Sequence, residues 1–167
     1  MDERAWRRPR SPCIPAWGVV TNSPLDLYLV TATWNTNLAC GSVNDPHTLG
    51  VYYTGKYWAI FHEDGSAMPV GAAFDVLVVS SRDATTLTQQ VTTNSYISYI
   101  NNVSTNNLPN NLLFVTPNWT TNGHCGCVSS NHPSSVFYAS NNEWSIFNQD
   151  NAPMPIGAAF NVFVLVP

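Results

Sequence analysis

The stretch "MPVGAAFDV" at residues 68–76 returns as "MPIGAAFNV" at 154–162. A repeat at this distance means that one supersecondary unit is used twice, and it constrains the fold more than any single motif. The match extends well beyond the nine residues. Val30-Thr31 answers Val115-Thr116, Trp34 answers Trp119, and Cys40-Gly41 answers Cys125-Gly126. His47 answers His132, Val51 answers Val136, and Tyr53 answers Tyr138. One residue is inserted in the second copy; then Trp58 answers Trp144, Ile60-Phe61 answers Ile146-Phe147, and Asp64 answers Asp150.

Each copy reads as β. Short runs rich in β-branched and aromatic residues ("LYLVTATW", "GVYY", "YWAIF", "AAFDVLVV" and their counterparts) are separated by Gly, Pro, Asn and Asp. That is the pattern of strands punctuated by turns. No stretch keeps a 3.6-residue period, so few or no helices are expected. In the closing strand Phe74, Val76 and Val78 share a face, with Asp75, Leu77 and Val79 opposite. Pro117 lacks an N–H and belongs at a strand end or edge. Gly71 and Gly157 are expected to permit the bend into the closing strand. The expected class is all-β: two tandem repeats, sandwich- or barrel-like, related by an approximate pseudo-twofold. Residues 1–18 form an atypical arginine-rich segment, 19–80 a first repeat cut short at its front, and 81–167 a complete second repeat. "YISYI" in the second repeat has no visible counterpart in the first. A missing strand leaves an open edge that invites pairing with another chain.

Composition narrows the partners. Charged residues are only 10% of the 167-residue chain, against about 25% in a typical domain. The surface is therefore built from amides and hydroxyls. Four of the six basic residues, Arg4, Arg7, Arg8 and Arg10, lie in the first ten positions, and the rest of the chain is acidic. No basic groove is left for nucleic acid. No apolar run reaches the ~20 residues of a membrane span. "MDERAWRRPRSPCIPAWG" lacks the apolar stretch of a signal peptide. Few lysines and the glycosylation-type triplets at Asn102 and Asn118 nevertheless read as extracellular.

The second copy, with "VTPNW", "NHP", "WSIFNQD" and "MPIGAAFNV", resembles a family of uncharacterised secreted tandem-repeat proteins with the unit V-T-x-N-W…W-x-I-F-N-Q-D…M-P-x-G-A-A-F-N-V. The likeness covers nearly all of 94–166 and, less closely, 25–79. It implies a secreted β-rich module and carries over no catalytic residue. The first copy departs from it at "FHED" (61–64) and in its arginine-rich start.

Differences between the copies locate candidate chemistry. His62 and Glu63 become Asn148 and Gln149. Their position predicts a polar turn between strands, in which Asp64 and Asp150 accept backbone N–H bonds. His47 and His132 are expected to anchor loops by bonding the backbone. His124, Cys125, Cys127 and His132 are zinc-type ligands, but the C-x-C spacing is tighter than usual, and no metal or other cofactor is assigned. Cys13, Cys40, Cys125 and Cys127 allow three disulfide pairings. Trp34 and Trp119, with Asp64 and Asp150, are the candidate ligand-binding set, since an exposed ring stacks on sugars. The expected function is a non-enzymatic extracellular scaffold in a matrix, filament or assembly. Its partners are further copies of itself or another protein, with glycan or mineral surfaces also considered; the Arg4–Arg10 segment is its candidate interaction tail. A lectin-like carbohydrate-binding module is the alternative, and a small secreted enzyme built on His62, Glu63 and Asp64 comes third.

Overall fold

The structure is a computed structural model that describes residues 23–34, 43–80, 85–121, 124–125 and 127–167. Arg4, Arg7, Arg8, Arg10, Cys13 and Cys40 lie outside the described residues, as does the side chain of Cys125. Among the described residues the chain is all-β, with twelve strands and no helix. No helix among them is long and apolar enough to cross a membrane.

The first copy supplies β1 (Leu27–Thr33), β2 (Leu49–Tyr53), β3 (Trp58–His62) and β4 (Ala73–Val79). The second opens with β5 (Thr86–Gln90) and β6 (Ile97–Ile100), continues with β7 (Leu112–Pro117), and ends with β10 (Ser134–Tyr138), β11 (Trp144–Asn148) and β12 (Ala159–Leu165). Between them β8 (Thr120–Thr121) and β9 (His124–Cys125) form a minimal hairpin.

Equivalent strands pair equivalently. β1 pairs antiparallel with β4, as β7 does with β12. β2 pairs with β3, as β10 does with β11. Trp58 Nε1 donates to the Ser23 carbonyl at 2.9 Å, and Trp144 Nε1 to the Leu108 carbonyl at 3.0 Å, so each tryptophan ties its hairpin to the chain just before β1 or its equivalent β7. Gly71 and Gly157 have φ of 93° and 92°, which glycine adopts without steric cost. A side chain there would press on Val43 or Val128, the same neighbour in each copy. Pro117 ends β7, where a missing N–H costs no interior ladder bond.

The copies differ in what flanks these pairs. In the second, β5 lies on the far side of β12 and β6 on the far side of β11. Among the described residues β4 pairs only with β1 and β3 only with β2. The main core is correspondingly lopsided. Val91, Ile100, Leu113, Ile146, Met154 and Phe160 are buried together, all from the second copy, and Val91 and Ile100 come from the β5–β6 region that it alone has. Val162 is fully buried, whereas its counterpart Val76 is 39% exposed.

Candidate functional site

Two features converge on residues 61–66: the junction between the copies and a buried polar cluster. Beside the contact of β1 with β7 and β12, where Thr116 Oγ1 accepts the Val30 N–H and the Tyr28 carbonyl accepts from Asn161 Nδ2, the junction is formed by the outer face of β2–β3 and the chain after β7. Val51 and Asn118 form a parallel bridge, and Trp119 donates its N–H to the Val51 carbonyl at 2.9 Å. Thr120 Oγ1 accepts the Tyr53 N–H. Tyr52 and Phe61 stand edge to face, with centroids 5.5 Å apart. The Trp119 ring caps this pair, 5.9 Å from Tyr52 and 6.1 Å from Phe61. Such ring contacts add about 0.5–1.5 kcal/mol beyond the area they bury. Glu63 closes the junction by accepting the Ser130 N–H at 2.9 Å. Burial pushes the Glu63 carboxyl up, against the opposing pull of the Ser130 N–H and the Ser129 hydroxyl. A cavity of about 310 Å³ lies here, lined by Tyr52, Phe61, Glu63 and Trp119 among others.

On the other side of His62 the first copy holds a network that the second lacks. His62 Nε2 is 2.9 Å from Asp45 Oδ2, and both side chains are buried. The carboxylate can only accept, so His62 donates through Nε2. Nδ1 then faces Ser66 Oγ at 2.8 Å. His47 stacks on His62 at 4.4 Å between centroids and reaches Asp64 Oδ2 at 2.7 Å and Ser66 Oγ at 3.2 Å through Nδ1. The Ser66 hydroxyl and N–H, then His47, hold the Asp64 carboxyl well below the usual range. In the second copy Ser130, Asn148 and Ala152 replace Asp45, His62 and Ser66. Only the outer pair persists: His132 Nδ1 lies 2.7 Å from Asp150 Oδ2 and, with the Ala152 N–H, pulls the Asp150 carboxyl down. Asp45, His47 and His62 each present one atom of metal-ligating type within 4.8 Å of one another. Their hydrogen bonds already pair both nitrogens of His62, so the network closes on itself without an ion.

Several expectations are corrected here. His62 ends β3 and Glu63 opens the expected turn between strands, closed by the Gly65 N–H on the His62 carbonyl, but both side chains are buried. His47 and His132 anchor their loops through carboxylates, not the backbone. Asp64 and Asp150 do accept turn N–H groups, from Ser66 at 2.9 Å and Ala152 at 3.0 Å. Trp34 and Trp119 occupy different settings: Trp34 is 64% exposed and Trp119 lies in the junction. Asn118 is buried, its amide donating to Asn161 Oδ1 at 2.8 Å, so in the folded chain it offers no glycosylation site. Cys127 is disulfide-bonded. Asp45, Ser66, Tyr52 and Phe61 were missed as site residues. Asp45/Ser130 and Ser66/Ala152 are differences at aligned positions, the same signal that singled out His62 and Glu63.

The family model described as Domain of unknown function (DUF7452) matches residues 18–78 and 56–164. The chain belongs to this family. The two matches overlap at residues 56–78 and accord with a repeat-like organisation. No curated protein and no solved structure matches the chain.

Proposed function

We propose that this DUF7452 protein is a non-enzymatic, secreted tandem-repeat module that works as an interaction scaffold, assembling with copies of itself or with another protein. The observation that carries this reading is the asymmetry of the copies. β3 and β4 present unpaired edges, among the described residues, at the positions where β11 and β12 are flanked by β6 and β5. Val76 and Leu77 of β4 are exposed. An exposed apolar strand edge is a template for another chain unless charge or proline blunts it, and β4 carries only Asp75. The disulfide at Cys127 and the amide-rich, low-charge surface support an extracellular setting. Light scattering from micromolar to millimolar concentration, with electron microscopy of the same samples, tests the reading. Concentration-dependent assembly is expected, and a strict monomer at every concentration sinks it.

One observation favours a second reading, a small hydrolase. Asp45, His62 and Ser66 are linked in the order carboxylate, imidazole, hydroxyl, and Ser66 is exposed. That order matches the relay that activates a serine nucleophile. The sharing of Ser66 Oγ with His47 favours a structural network instead. A fluorophosphonate probe separates the two: labelling that disappears in Ser66→Ala supports the hydrolase, and an unlabelled protein removes it.

A further inference from the structure

The internal junction is a template for a second, intermolecular one. Its donor side is the chain after β7, with Trp119 at the centre; its acceptor side is the outer face of β2–β3, with the Tyr52–Phe61 pair at the centre. Because the copies are equivalent, each side exists twice, and among the described residues only one of each is used. The unused acceptor is the outer face of β10–β11. Phe137 and Phe147 stand there edge to face at 5.5 Å and 81°, against 5.5 Å and 84° for Tyr52 and Phe61. The unused donor is Trp34, which occupies the position of Trp119 and is exposed instead of capping a ring pair.

Burial follows the same division. Gly50, on the ring-bearing face of β2, is buried, while its counterpart Ser135 is only partly buried. Glu63 is buried by the Ser129–Ser130 segment, while its counterpart Gln149 is exposed. The acceptor contacts at the internal junction are partly main chain: the Val51 carbonyl accepts the Trp119 N–H. Val136 carries the same carbonyl, whatever its side chain.

We infer that the chain associates head to tail with a second copy of itself, Trp34 of one chain seating on the Phe137–Phe147 pair of the next. This rests on the scaffold reading and names its partner and surface. The interface is heterologous, since the two contributing patches differ. Repetition therefore continues along a line or closes into a ring, and does not stop at a twofold dimer. Trp34 takes the role of a central aromatic anchor, the residue type that dominates interface energies.

Sedimentation velocity on the full chain and two variants tests it. Trp34→Ala removes the donor ring from an exposed position. Gln149→Arg places a bulky cation on the exposed acceptor face, where the internal junction has a buried carboxylate. Both positions are exposed, so both variants are expected to fold, which circular dichroism checks. Each variant alone should associate at least about 30-fold more weakly than the parent. Mixed, they retain one good donor and one good acceptor, and should form a 1:1 complex that grows no further. A parent that assembles while Trp34→Ala assembles equally well overturns the inference and leaves the scaffold reading standing. A mixture that shows no 1:1 complex also overturns it. A parent that stays monomeric throughout overturns both.

Discussion

Glu63 is the residue where the first copy departs most consequentially from the second. A carboxylate replaces Gln149 and lies buried, so the folded state holds its proton more tightly than the unfolded chain does, whose value is near 4.5. A raised acid favours folding most below the unfolded value. That contribution is lost as pH rises through the folded value. Glu63→Gln removes the penalty while keeping an acceptor for the Ser130 N–H. Its Tm should exceed the parent's by roughly 2–4 °C at pH 7–8. The gap should close near and below pH 4.5, and thermal melts across pH 3–8 check this. Gly50 is the companion of this choice. A Cβ there would overlap Glu63 Oε1 and lie 2.7 Å from the Phe61 ring, whereas in the second copy the equivalent positions are Ser135 and an exposed Gln149. Gly50→Ala should cost about 1–3 kcal/mol, as overpacking does, read by urea unfolding; an unchanged midpoint refutes the close packing around Glu63.

At the scale of elements, the strand pattern was legible in sequence because β-branched and aromatic runs broken by Gly, Pro and Asn leave little else to form. The shared face of Phe74, Val76 and Val78 reappears in β12, where Phe160, Val162 and Val164 are all fully buried. What periodicity could not convey was that the same face is covered in one copy and open in the other. That depends on β5 and β6, which pair across long sequence separations. The burial of His62 is illegible in sequence for a similar reason: an "HED" run reads as a polar turn, and only the fold brings Asp45 and Ser66 to the imidazole. The asymmetry is measurable. Val162→Ala, at a fully buried site, should cost about 2–3 kcal/mol through lost burial and a residual cavity, while Val76→Ala should stay within about 1 kcal/mol. Paired chemical denaturation curves decide it. Equal losses at the two positions would mean that β4 is as well covered as β12.

Across the whole molecule, two copies of one strand order carry unequal shares of the stability. Among the described residues the second contains the main core and two three-stranded sheets, while the first contributes two two-stranded pairs and leans on its neighbour through Val51, Tyr52, Phe61 and Glu63. Two-stranded pairs are marginal alone, because few apolar groups offset the entropy of ordering them. The junction therefore organises the first copy more than the second, consistent with a repeat whose units are stabilised by their neighbours. Native-state amide exchange should expose this order. The amides of β11 and β12 should exchange slowest, through global unfolding, and those of β4 that face away from β1 should exchange fastest among the strands. Trp34→Ala should leave this pattern unchanged in dilute solution. At concentrations where chains associate, the parent alone should gain protection, in β10 and β11 and around Trp34. Protection that instead accumulates along β4 would locate self-association at the strand edge and not at the tryptophan.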